Sequence, residues 1–506
     1  MGNNLAGFIK SVALGLCISI FTFATVLDNP YAANEEKTNN KVLKEIDGLV
    51  DKYDVQGASV ALIQNGEVTE YRNYGVSNIE EKTPVTNKTV FKIASISKTV
   101  TAYGIMKLVD EKKLDLDVPI STYLKRWQLP DTEFDEDKVT LRTLLSHTSG
   151  VTDSSEQGYT EPLPDIATAL ERRNVHLKRE PGTEFEYSSF AGLGICQLII
   201  EEVTGERFED YMKSQIFEPL GMESANYGVK SENGFVMATP YAGFHKAVEP
   251  EQIVMNGAGG VNIDSEDFTK FVINLMDYYD GGNLEMFQAQ PATESIHGVY
   301  GLGIIPTTLE NGKTIYHHNG TLTGWNAEFA FEPESKSGIV ILTNSDKGFY
   351  FTYEALGEWS REAAGGITLD TADVFKMENG IKIAIIIVSI LLGLLAIEFI
   401  YKLRKNKITL VKGKKKIIVS LIKSIIALVV MIAWYIGFYT AIPFEIMYSM
   451  KNYYLFTFFT TNFQILSAVI MVFLLVIAVR VFYRKTGKEL KNGKSNNGTR
   501  DNVQCR

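Results

Sequence analysis

Apolar positions divide this chain into two regimes. Between about residues 40 and 362 they recur at short periods among polar residues, whereas beyond Lys382 they run together. The three later runs, Ile383–Tyr401, Ile417–Ala441 and Ile465–Tyr483, are each long enough to cross a bilayer as a helix. In the earlier regime, Val42, Leu43, Ile46, Leu49 and Val50 place a helix over Lys41–Tyr53. Gly57–Ile63 and Glu67–Tyr74 alternate as strands about the turn Gln64-Asn-Gly66. A helix-rich stretch from Ser95 to about Leu275 follows. Lys313–Asn319, Gly324–Glu332 and Gly338–Asn344 then read as strands, with a turn at Glu332–Gly338 and a closing helix over Tyr353–Ala364.

Strands at both ends with helices between them predict an α+β fold. Its expected form is an antiparallel sheet flanked by helices with an inserted helical lobe, followed by three transmembrane helices. The expected divisions are a signal peptide over 1–33, an extracytoplasmic domain over 40–362 and a tether over 363–380. The three membrane helices then occupy 381–485 and a polar cytoplasmic tail 486–506.

Charge sharpens that division. The chain has 506 residues and a net charge of -10, but from Lys382 onward 19 Lys and Arg face only 4 Asp and Glu. The part before Lys382 is therefore strongly acidic, which argues against nucleic acid as a partner. Lys402–Lys407 and Lys412–Lys416 lie between the first two runs, and Arg484, Lys485, Lys488, Lys491 and Lys494 follow the third. The positive-inside rule puts both basic segments in the cytoplasm and residues 34–380 outside. Lys423 and Glu398, near run ends, can snorkel. Lys10, the apolar Ser11–Val26 and the small pair Ala32-Ala33 form an export signal independently of that rule. Leu16 before Cys17 argues against lipoprotein cleavage, and an uncleaved anchor remains the alternative. Of three cysteines only Cys196 lies in the large domain, so no disulfide forms within it. Its core alone must hold it together.

Ser95-Ile-Ser-Lys98 places a hydroxyl and an amine one helical turn apart, as an activated serine nucleophile needs. The tetrapeptide is not specific, because Ser420-Leu-Ile-Lys423 repeats the spacing inside an apolar run. Four further segments accompany Ser95: Leu144-Leu-Ser-His-Thr-Ser-Gly150, Pro181-Gly-Thr-Glu-Phe-Glu-Tyr187-Ser-Ser189, Gly257-Ala-Gly-Gly260 and His318-Asn-Gly320. In this order they resemble the class C β-lactamase and penicillin-binding-protein-like serine hydrolases over about residues 40–362.

That resemblance implies roles. Ser95 would be the acylated nucleophile, with Tyr187 and Lys98 moving its proton and the ammonium holding the tyrosine pKa down. The N–H groups of Ser95 and Thr321 would form the oxyanion hole. Ser189, His318, Asn319, Gly320 and Asn326 would contact substrate. Two positions depart from the family pattern. Ser189 stands where an Asn is usual, and His318 replaces the Lys that β-lactamases use to hold a substrate carboxylate. Histidine is mostly neutral at pH 7, which favours peptidase or esterase activity over β-lactam hydrolysis.

Other residues have plainer readings. His147 reads as a turn or core histidine, His317 as pointing to the opposite face of its strand, and Gly257–Gly260 as close backbone packing. Trp325-Asn326 reads equally as cleft lining or as core and turn. No metal-ligand spacing occurs and no cofactor is expected.

The three-helix tail and the Tyr187-Ser-Ser189 motif also resemble the colibactin-type prodrug peptidases, which remove an N-acyl-D-asparagine cap. The alternatives are a cell-wall D,D-carboxypeptidase, a D-alanyl esterase, a class C-like β-lactamase, or an acylated sensor without turnover. The short basic loop and tail leave little room for a signalling domain. Expected partners are a peptide-like small molecule or cell-wall substrate and the lipid bilayer. Oligomeric state stays open.

Overall fold

A computed structural model describes residues 41–152, 163–228, 235–250, 252–295, 298–367, 369–443, 455–458 and 461–485. The expected signal at 1–33 and tail at 486–506 lie outside the described residues. The chain forms two units, one through Ala372 and one from Asp373.

The first unit is built on a seven-stranded sheet. Its strands are β1 (Gly57–Gln64), β2 (Glu67–Asn78), β3 (Thr83–Pro84), β4 (Ile305–Thr308), β5 (Thr314–Leu322), β6 (Trp325–Glu332) and β7 (Ser337–Thr343). Their spatial order is β3-β2-β1-β7-β6-β5-β4. Every neighbouring pair is antiparallel, and the N-terminal hairpin joins the C-terminal strands through Val60↔Ile341 and Leu62↔Ile339. Asn65 (φ 54°) and Gly66 (φ 77°) supply the two left-handed residues that a tight β1–β2 turn requires.

Helices cover both faces, and the register sorts the side chains between them. Val60, Leu62, Ala330, Ile339 and Ile341 pack beneath α1 (Lys41–Tyr53), together with Phe351, Leu356 and Trp359 of a C-terminal helix. Ala61, Ile63, Ala327, Phe329, Val340 and Leu342 face the larger core. There they meet α2 (Ser97–Asp110), α3 (Ala191–Thr204), the short α4 (Asn256–Gly259) and α5 (Ser265–Asp280). Asp264 caps α5 by accepting the Asp267 N–H at 2.8 Å, and α3 ends at the left-handed Gly205. The C-terminal helix, α6 (Gly348–Ala363), begins earlier than its apolar period suggested.

The predicted architecture therefore stands, with β3 and β4 as additional strands. The polar stretch expected as a tether is helical from Leu369 onward, because α7 (Leu369–Arg404) continues unbroken into the first apolar run. The second unit contains most of α7 with α8 (Lys414–Tyr439) and α9 (Thr461–Arg480). All three are long and apolar enough to cross a membrane. A ribbon of β8 (Ile408–Leu410) and β9 (Tyr483–Lys485) joins two of the basic segments. Ser420 donates to the Val481 carbonyl at 2.7 Å, which engages the serine of the second Ser-x-x-Lys within this unit.

Candidate active site

The turn that carries Ser95 is held from several sides. Phe91-Lys92 pairs with Asn262-Ile263, and the Ile93 N–H donates to the Val261 carbonyl at 3.0 Å. Ala94 has φ 47°, a left-handed conformation that a residue with a Cβ rarely adopts. A 3-10 turn over Ala94–Ile96 then feeds α2, where Ser97 accepts the Val261 N–H at 3.0 Å. The strained Ala94, kept in place by these bonds, immediately precedes the half-buried Ser95.

Lys98 follows one turn later and is fully buried. Its Nζ reaches Ser95 Oγ at 3.1 Å, the Ser189 carbonyl at 2.7 Å and the Ala258 carbonyl at 2.9 Å. An ammonium has three donors, and three neutral oxygens meet them. The Tyr187 ring lies 5.0 Å from the same nitrogen and the Phe190 ring 6.0 Å, so aromatic faces add to the cradle. Ser95 and Lys98, one turn apart, thus meet the ring of Tyr187, which lies far from them in sequence.

The other wall is β5. β4 pairs only with Thr314–His317, which leaves the outer edge of β5 from His318 onward to face the Ser95 turn. A Cβ on Gly320 would lie 2.1 Å from the Ile93 carbonyl oxygen and 3.2 Å from the Ser95 nitrogen. Only glycine permits this approach. Thr321 follows at the same edge, with its Oγ1 donating to Asn326 Oδ1 at 2.9 Å.

The residues expected at substrate differ in what their side chains bond to. His318 is buried; its Nδ1 donates to the Asn319 carbonyl at 2.6 Å, so its Nε2 accepts from the Tyr300 hydroxyl at 2.6 Å. Burial lowers its pKa to about 3, and Lys98 and His317 disfavour a further positive charge. His318 is thus a neutral, internally bonded group rather than a grip for an anion. Asn319 turns to the opposite face and donates to the Tyr353 hydroxyl of α6 at 3.2 Å. Asn326 is buried in β6, donates to the Ser345 carbonyl at 2.8 Å and accepts from Thr321 Oγ1 at 2.9 Å. Ser189 reaches the cluster through the carbonyl that holds Lys98.

His317 lies on the far face from His318, 3.5 Å from Glu328 and 2.9 Å from Thr307 Oγ1. Gly257–Gly260 packs closely, with a Cβ at Gly257 falling 3.0 Å from the Leu193 carbonyl. It also does more than pack: Ala258 and Gly260 present carbonyls to Lys98 and to the buried Lys92. Sequence reading missed Tyr300. Its only signal is the Tyr-Gly-Leu-Gly303 stretch, whose last carbonyl accepts from Thr99 of α2 at 2.6 Å.

A helix-borne Ser-x-x-Lys set against the open edge of an antiparallel sheet defines the β-lactamase and transpeptidase class of fold. The profile of the Beta-lactamase family matches residues 42–360, and the chain belongs to that family, whose members are generally serine acyl-transferases and hydrolases. The octameric penicillin-binding protein homologue from Pyrococcus abyssi is similar in structure, with a TM-score of 0.54 and 26% identity. That likeness covers 63% of this chain and 76% of the archaeal one. A penicillin-binding protein from Bacillus halodurans shares the fold at a TM-score of 0.52 and 23% identity, over 61% of this chain and 95% of that one. Protein flp of Staphylococcus aureus (strain COL) is 26% identical over 330 residues. The match takes in 61% of this chain and 64% of flp, so the chain spans somewhat under two thirds of that relative.

Proposed function

We propose that this chain is a membrane-anchored serine hydrolase that works through an acyl-enzyme on Ser95. The supporting observation is the buried Lys98 ammonium, 3.1 Å from Ser95 Oγ and beneath the Tyr187 ring. Tyr187 and Lys98 take the serine proton as the hydroxyl attacks a carbonyl, then deliver it to the leaving group. The amides of Ser95 and Thr321 hold the oxyanion, and water releases the acyl group with the same pair as base. The catalytic unit lies on the outer side of the membrane.

The substrate class is an amide or ester of a D-amino-acid-containing peptide. A neutral, buried His318 offers no cation to a leaving group that carries a carboxylate, which favours uncharged leaving groups. Within this class the narrower reading is removal of an N-acyl-D-Asn cap, which the three-helix tail and Tyr187-Ser-Ser189 support. A cell-wall D,D-carboxypeptidase or D-alanyl esterase is the second reading, favoured by the likeness to a penicillin-binding protein homologue.

Purified full-length protein in detergent should hydrolyse D-amino-acid amides, an N-acyl-D-Asn amide among them. Ser95→Ala should lower kcat/KM by about 10³-fold or more. Cleavage of L-configured substrates alone would remove the D-peptide reading. Release of D-Ala from wall material, lost with Ser95→Ala, would select the cell-wall reading.

A further inference from the structure

His147 has no part in the chemistry above, yet it contacts the Tyr187 ring and the main chain on either side of that residue. Its carbonyl accepts the Glu186 N–H at 2.9 Å, and its ring Nδ1 accepts the Ser188 N–H at 3.1 Å. These two amides flank Tyr187 in the chain. The imidazole also lies against the Tyr187 ring, with centroids 4.4 Å apart and planes tilted by 40°. One residue therefore grips the main chain on both sides of Tyr187 and supports the ring as well.

The way His147 is held suits that task. Its φ of 60° is left-handed, a conformation that costs on the order of 1–3 kcal/mol outside glycine. Neighbouring bonds keep it there: Thr148 N–H donates to the Thr143 carbonyl at 2.9 Å, and the Thr148 carbonyl accepts Gly182 N–H at 2.8 Å. Accepting at Nδ1 puts the imidazole proton on Nε2. That nitrogen is buried, without a hydrogen-bond partner among the described residues. It lies within the aromatic surround of Tyr187, Tyr300 (4.9 Å) and Phe185 (6.1 Å). Burial holds its pKa well below the usual histidine range, and the nearby Lys98 and His318 act in the same direction. The ring stays neutral, so Nδ1 keeps its lone pair for Ser188.

We propose that His147 is a positioning residue that fixes the Tyr187 hydroxyl relative to Ser95 through the Nδ1 bond to Ser188. This rests on the serine-hydrolase reading above. Displacing a proton-transfer group by about 1 Å can cost on the order of 10²-fold in rate, so the residue sets turnover without touching substrate.

Replacements at position 147 separate this role from packing. In His147→Asn the Oδ1 takes the place of Nδ1, and asparagine tolerates the left-handed backbone. His147→Phe keeps an aromatic ring and loses the acceptor; His147→Gln keeps polarity but carries its amide one bond too far. The full-length protein in detergent is labelled with a fluorophosphonate, and kinact and KI are read separately, with thermal midpoints alongside.

We expect kinact to fall about 30- to 100-fold in His147→Phe and His147→Gln with KI within about threefold of the parent. His147→Asn should stay within about fivefold. In a Tyr187→Phe background, His147→Phe should cost under about threefold more, because the group it positions is gone. Parental kinact in His147→Phe, or an undiminished loss in the Tyr187→Phe background, would overturn the proposal. If His147→Phe does not fold, His147→Gln against His147→Asn gives the same decision. Ser95→Ala serves as the separate control: labelling that persists there sinks the hydrolase reading itself.

Discussion

At the scale of single residues, this site sets the buried Lys98 beside two neutral histidines. Lys98 holds a position that water cannot reach, and nearby imidazoles would have to add charge next to it in order to protonate. That has a consequence for stability. The folded state keeps His318 neutral down to a pKa of about 3, whereas in the unfolded chain it protonates near 6.5. Below pH 6.5 the unfolded chain therefore binds more protons, and stability present above 6.5 is lost as pH falls. The slope should approach about 1.4 kcal/mol per pH unit for each such histidine. Denaturant midpoints measured from pH 7 to 4.5 should show this decline, and His318→Asn should flatten it; an unchanged slope would contradict a neutral His318. Gly320 supplies a second test at this scale. Gly320→Ala puts a Cβ 2.1 Å from the Ile93 carbonyl and must push β5 off the Ser95 turn. Fluorophosphonate labelling should slow by about 10- to 100-fold, while the thermal midpoint moves far less.

Among the elements, those with a strong local period or turn chemistry were legible in the sequence. α1 follows from its apolar spacing, and the β1–β2 hairpin from Asn65-Gly66. β4 was not legible: Ile305-Pro-Thr-Thr308 is short and contains a proline, which only an edge strand accepts. The start of α6 was hidden for a related reason, since Gly348 is a poor helix former that tertiary packing admits. In the site, spacing alone paired Ser95 with Lys98, and the surrounding motif brought in Tyr187. The Ser189 and Ala258 carbonyls could not be read from residue type, because every residue has a carbonyl. α6 also bears the load of the layer it shares with α1. Trp359 is buried in the cluster that also holds Leu43, Ile46 and one face of the sheet, so Trp359→Ala should destabilise the first unit by about 3–5 kcal/mol. Urea unfolding followed by labelling competence should report that loss. A cost under about 1 kcal/mol would mean that this layer contributes little to the unit.

For the whole molecule, the governing question is which side of the membrane each unit occupies. Among the described residues three helices are long and apolar enough to cross a membrane, and the arrangement proposed above puts the large unit outside and the basic segments inside. The β8–β9 ribbon places the basic segment after α7 beside the basic segment after α9, which requires both on one side. This agrees with the charge distribution: 19 Lys and Arg against 4 Asp and Glu from Lys382 onward, with the acidic excess before it. Moving such clustered cations across the bilayer opposes the positive-inside bias, whereas the acidic unit meets no such barrier. Single-cysteine reporters test the arrangement directly. In a Cys17→Ser, Cys505→Ser background, where only the buried Cys196 remains, Asp131→Cys should react with an impermeant maleimide on intact cells. Lys407→Cys should react only after permeabilisation. The reverse pattern would place the Ser95 cleft in the cytoplasm and remove extracellular peptides as its substrates, even if the acyl-enzyme chemistry remained.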